Sequence, residues 1–119
     1  MVTVKDFQEA LHSLADEFYQ LSEAFTVFGD ESRQQIFTTL IRAGCSGLRV
    51  GEITKQTHLS RPAVSHHLKI LKDAKLIKLD KFGTMNFYHV DTERTIIKKM
   101  QTLFNHMDML ITDFEEDNQ

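Results

Sequence analysis

The chain has 119 residues, 41% of them hydrophobic and 26% charged, with five glycines and one proline. That length buries one substantial core and is short for two, and the composition suits a folded, helix-rich chain rather than a disordered one, so a single domain over 1–119 is predicted. No apolar run approaches the ~20 residues that span a bilayer, the first residues lack a basic start and an apolar signal core, and Cys45 is the only cysteine. The expectation is a cytoplasmic protein with no membrane association, no internal disulfide and no cysteine-based zinc ribbon. The net charge of −3 hides a segregation: residues 49–90 hold eight Lys or Arg against three acids, a balance of +5, while the rest holds six against fourteen, or −8. A basic middle between acidic ends fits a nucleic-acid-binding centre with non-contacting flanks.

The first segment places Val4, Phe7, Leu11, Leu14, Phe18, Leu21, Phe25 and Phe28 in an alternation of threes and fours. This predicts one helix over about 4–28 with an a/d seam, ending at Gly29. Asp30 is placed to cap a second helix with Ile36, Phe37, Leu40 and Ile41 on its apolar face, closed by Gly44. CSGLRV reads as a turn leading into a short extended piece, and Gly51 to Thr57 as a brief helix with Ile53 inward and Glu52, Lys55 and Gln56 outward.

LSRPAVSHHLKIL, residues 59–71, then carries the most informative pattern. Ser60 is a good N-cap, Pro62 sits where a missing N–H costs nothing, and Val64, Leu68 and Leu71 mark an inward face. Arg61, Ser65, His66 and Lys69 point outward together, all cationic or hydrogen-bonding and none acidic, which is the chemistry of a helix that enters a major groove. Two short helices joined by a tight turn at His58–Ser60, the second one basic, make a helix-turn-helix.

Leu76, Ile77 and Leu79 form one predicted strand and Met85, Phe87, Tyr88 and Val90 another, with KFGT between them, so a β-hairpin with a basic tip follows. Lys78 and Lys81 on this hairpin, with Lys69, are expected to displace counterions from DNA phosphates. The last helix, over about 92–115, is expected to be capped by Asp91 and carries Ile96, Met100, Leu103, Met107, Leu110 and Phe114 at the same spacing as the first seam. The predicted fold is mainly α with a small β-hairpin, a winged helix-turn-helix with core 30–90 and long terminal helices. Two such seams exceed what one small domain readily buries. A homodimer is therefore expected, with an interface drawn from Leu11, Leu14, Phe18, Leu21, Ile96, Met100, Leu103, Met107 and Leu110.

With these elements in place, the chain resembles the ArsR/SmtB family of bacterial winged-helix repressors from about Phe25 to Val90. The resemblance is carried by FTVFGDESRQQIFTTL, by VGEIT, by LSRPAVSHHLKILKDAKLI, whose Ser-His-His-Leu-Lys-x-Leu core is the most specific part, and by the hairpin ending in FYHV. It implies a dimeric repressor of operator DNA, with DNA-contact roles at Arg61, Pro62, Ser65 and His66 and an operator that is an inverted repeat. Arg61 and Pro62 replace the polar pair common there, which implies a different operator sequence, and Lys75 stands where relatives often have Gly.

The resemblance also raises metal sensing, and the ligand patterns it implies are mostly missing. GEITKQT lacks the Cys-x-Cys of the arsenic and cadmium type, and Thr92, Arg94, Asn105 and Asp108 fill the zinc-type positions. The expectation is no cofactor and no metal, with an unknown inducer. The alternative is a metal-responsive repressor using an improvised site among His89, Asp91, His106 and Asp108. Cys45 lies in a turn and is read as a passive thiol. An enzyme is not expected, because no glycine-rich phosphate loop, nucleophile elbow or catalytic triad is present. A winged helix serving only protein interaction would favour an apolar or acidic outer face on the helix from Arg61. The face is basic and hydroxylated, which favours DNA.

Overall fold

The computed structural model describes residues 3–117, so residues 1–2 and 118–119 of the predicted domain lie outside it. In chain order the elements are α1 (Val4–Gln20), α2 (Ser22–Phe28), α3 (Glu31–Ala43), a 3-10 turn at Gly44–Ser46, α4 (Val50–Gln56), α5 (Arg61–Asp73), β1 (Ile77–Phe82), β2 (Met85–Val90) and α6 (Thr95–Asp117). They fall into two compact units. One runs from Glu23 to Thr95, and the other joins the amino-terminal segment through Ser22 to the segment from Ile96 onward.

In the first unit α3 and α5 begin where the sequence offers a capping side chain. The Asp30 carboxylate accepts the Arg33 N–H at 3.0 Å, and the Ser60 hydroxyl accepts the Ala63 N–H at 3.3 Å. α2 is tied to α3 by the Arg33 guanidinium, whose Nε donates to the Val27 carbonyl at 2.8 Å, and by an edge-to-face contact of Phe28 with Phe37. The inward residues Ile36, Leu40, Ile53, Val64, Leu68, Leu71, Leu76 and Ile77 are essentially fully buried. Burial of each such side chain contributes about 1.5–3 kcal/mol, against about 1 kcal/mol for an N-cap, so packing of Val64, Leu68 and Leu71 fixes α5 more firmly than its cap does.

β1 and β2 pair antiparallel with Ile77 opposite Val90 and Phe82 opposite Met85. The loop is therefore only Gly83 and Thr84, tighter than the four residues expected. Gly83 has φ 64° and Thr84 does not share the positive φ, which is what a type II′ hairpin turn needs. The extended piece expected after the 3-10 turn is a single bridge, in which Leu48 and Tyr88 exchange N–H···O bonds of 2.9 and 2.8 Å. Gly47 makes that approach possible: its φ is 73°, and a Cβ there would lie 2.7 Å from the Tyr88 carbonyl oxygen.

In the second unit α1 opens with a capping box, Asp6 N–H to the Thr3 hydroxyl at 3.1 Å and Thr3 N–H to the Asp6 carboxylate at 3.2 Å. Side chains of α1 and α6 meet at the stacked rings of Phe7 and Phe114, 6.5 Å apart, and where His106 Nδ1 lies 2.9 Å from the Glu17 carboxylate.

Two expectations for the terminal helices need correction. The helix expected over 4–28 is interrupted at Leu21, whose N–H turns back to the carbonyls of Phe18 and Tyr19. A one-residue break leaves the spacing of the apolar residues unchanged, so the periodicity did not reveal it. Asp91 does not cap the last helix. It is buried, its carboxylate accepts the Glu93 N–H at 3.1 Å, Arg94 takes φ 58°, which no helix residue can, and α6 starts only at Thr95.

Candidate nucleic-acid interface

α5 presents its outer face as the spacing implies. Arg61, Pro62, Ser65, His66 and Lys69 are all exposed, at intervals of three and four that stack them along one side, while Val64, Leu68 and Leu71 lie opposite in the core. The two adjacent histidines separate. His66 is exposed, whereas His67 is half-buried with Nδ1 3.3 Å from Arg33 Nη1. A guanidinium only donates, so Nδ1 must accept and His67 is held neutral there. Burial lowers its pKa from the ordinary 6.5, opposed by the Asp30 carboxylate and reinforced by Arg33 and His66.

The lysines expected to meet phosphate differ in their surroundings. Lys69 pairs with Asp73 one turn on at 3.1 Å, an exposed pair of little strength. Lys78 is half-buried and lies 2.6 Å from Glu93 and 3.6 Å from Asp91, a pairing that raises its pKa, chiefly through the hydrogen bond to Glu93. Lys81 is exposed near the hairpin tip, beside Phe82, which is 62% exposed and packs edge-on against Phe87. A second feature escaped the sequence reading. Arg49, Lys55 and Arg61 line one cleft of about 680 Å³ together with Glu52, Thr84 and Asn86. Arg49 and Lys55 are legible only as part of the basic middle, because the turn between α4 and α5 and the return of β2, not any sequence spacing, bring them beside Arg61.

Three of the four groups of the alternative metal site are engaged elsewhere. His89 is buried with Nε2 2.8 Å from Asp80 and Nδ1 2.9 Å from the Val90 carbonyl, Asp91 faces Lys78, and His106 faces Glu17. Among the described residues no three His, Cys, Asp or Glu side chains gather as a metal site would need. Cys45 is exposed, and no described helix is long and apolar enough to cross a membrane.

Of the dimer candidates, Leu21, Met100 and Leu103 are already buried within the chain. Leu14, Ile96, Met107 and Leu110 are half-buried, and Leu11 and Phe18 remain 42% and 47% exposed. Val4, Met109 and Ile111, outside the expected set, are also well exposed.

A helix-turn-helix with a two-stranded wing, offering a cationic and hydroxyl-bearing helix face, defines a winged-helix DNA-binding protein. Residues 30–78 match the model of the bacterial regulatory protein arsR family. The chain is 36% identical over 90 residues to an uncharacterised helix-turn-helix transcriptional regulator of Methanocaldococcus jannaschii, an alignment covering 74% of this chain and 99% of the relative. It is 31% identical over 72 residues to the transcriptional repressor SdpR of Bacillus subtilis, covering 60% of this chain and 77% of SdpR. The solution structure of a homodimeric winged helix-turn-helix domain from Mycobacterium bovis, a possible ArsR-family regulator, superposes with a TM-score of 0.56 at 20% identity, covering 83% of each chain. The chain belongs to the arsR family of bacterial regulatory proteins, and its function is that of a DNA-binding transcriptional regulator.

Proposed function

We propose that the protein is a cytoplasmic, homodimeric repressor without enzymatic activity, in which each subunit inserts α5 into a major groove of an inverted-repeat operator. The observation that carries this reading is the exposed face of Arg61, Pro62, Ser65, His66 and Lys69 on a helix whose opposite face is fully buried. Arg61, Ser65 and His66 supply donors and acceptors for base edges, Pro62 gives an apolar contact, and Lys69, Lys78 and Lys81 face the phosphate backbone. The repressor reading draws on SdpR, which is named as one, and the dimer on the homodimeric Mycobacterium bovis domain and on the exposed apolar residues of α1 and α6.

Replacement of Ser65 and His66 together by Ala tests the reading. Each good base contact discriminates by about 1–3 kcal/mol, so the double variant should bind its operator at least about tenfold more weakly, with folding and dimerisation unchanged. Unchanged affinity would refute the assignment. The inducer is proposed not to be zinc, cadmium or arsenite, since a tight site needs three or four convergent deprotonated ligands. A zinc titration of the protein–operator complex checks this, and dissociation abolished by His106→Ala would overturn it.

A further inference from the structure

We propose that the cleft lined by Arg49, Lys55 and Arg61 holds a phosphodiester of the DNA backbone, and that Arg49 and Lys55 supply a larger share of phosphate neutralisation than Lys69 and Lys78. The inference rests on the DNA-binding reading above and extends it to Arg49 and Lys55, which that reading does not use. The three cations come from three places in the fold: the residue before α4, the last turn of α4 and the first residue of α5. Among the described residues, none of the three has an acidic partner within 4.0 Å. Glu52, the one acid in the cleft, has a carboxylate oxygen accepting the Arg49 backbone N–H at 3.0 Å. The cleft therefore carries a surplus of positive charge.

Lys69 and Lys78 begin from a different state, each facing a carboxylate of its own chain at 3.1 and 2.6 Å. A phosphate that approaches Lys78 must compete with Glu93 and Asp91. It releases fewer bound counterions than one that approaches an unpaired cation, and counterion release is what drives backbone binding. Thr84 and Asn86 add neutral hydrogen-bonding groups from the wing, the kind that positions a backbone without reading sequence. Gly51 lies on the wall of the cleft beside the Arg61 guanidinium. The cleft thus adjoins the first residue of α5, where a strand flanking the occupied groove would run.

Arg49→Gln and Lys55→Gln, singly and together in the full chain, test this by fluorescence anisotropy on operator and on an unrelated duplex, between about 50 and about 200 mM salt. Each substitution removes one cation from each subunit, so it should lower the slope of log affinity against log salt by about 1.8 for the dimer, by the same amount on both duplexes and with operator preference unchanged. Arg49→Lys, which keeps the charge, should keep the slope, and Lys99→Gln on α6 should leave it unaltered. Circular dichroism melts matching the parent confirm that folding is intact. If the double variant keeps the parental slope, or loses affinity for operator alone, the proposal is overturned. It is also overturned if inorganic phosphate at constant ionic strength binds the parent but not the double variant and leaves the parent's affinity for both duplexes unchanged, because the cleft is then a free-anion site that DNA does not enter. Failure of the Ser65 and His66 variant with a slope still governed by Arg49 and Lys55 would remove the base-reading role and leave the phosphate role standing.

Discussion

Lys75 and Gly47 carry the backbone conformations on which the DNA-binding unit turns. At the end of α5 the Leu76 N–H bonds the Leu71 carbonyl and the Lys75 N–H the Lys72 carbonyl, a Schellman arrangement whose left-handed position, φ 62°, is filled by Lys75. A side chain there costs about 1–2 kcal/mol, partly offset by the entropy a glycine would lose, so Lys75→Gly should raise unfolding stability by about 0.5–1 kcal/mol in urea titrations. Gly47→Ala should do the reverse by more than 1 kcal/mol, through both its positive φ and the clash with Tyr88, and a neutral result would disprove the close approach. His67 sets a pH dependence. Its pKa is depressed in the folded state, so the unfolded chain binds the extra proton first. Stability is complete above about pH 6.5 and declines as pH falls from there toward the folded value. His67→Gln should flatten that decline in melts followed from about pH 7.5 to about pH 5.5.

The helices and hairpin of residues 30–90 were legible in the sequence because caps, turn residues and periodicity agree there. Asp30 and Ser60 cap as their side chains allow, Gly44 stops α3, and the change of period after Asp73 marks the hairpin. The terminal helices were less legible. A seam of threes and fours records which side is apolar, not whether the helix is continuous at Leu21 or begins at Asp91 or Thr95. The cleft was not legible at all, since Arg49, Lys55 and Asn86 meet only through tertiary folding. Burial also refines the seams. Leu103 is fully buried and Leu11 is 42% exposed, so the same charge should act differently on them. Leu103→Asp is expected to unfold the chain, seen as lost helical circular dichroism. Leu11→Asp is expected to leave folding intact and yield monomers by sedimentation, and a dimer that survives it would remove Leu11 from the interface.

At the scale of the whole molecule, an acidic chain concentrates its positive charge on residues 49–90, which hold α4, α5 and the wing. The net charge of −3 predicts little, and the +5 over residues 49–90 predicts strong salt dependence. Two-fold symmetry in the protein would place two copies of α5 about one helical turn of DNA apart, so the operator should be an inverted repeat of matching half-sites. The most direct test of this account is selection of duplexes from a random library, run in parallel with the parent chain and with the Ser65 and His66 double Ala variant. The parent should enrich an inverted repeat with half-sites about one helical turn apart, and the variant a degenerate repeat of the same spacing. Enrichment of the same sequence by both proteins, or of no repeat by the parent, would contradict it.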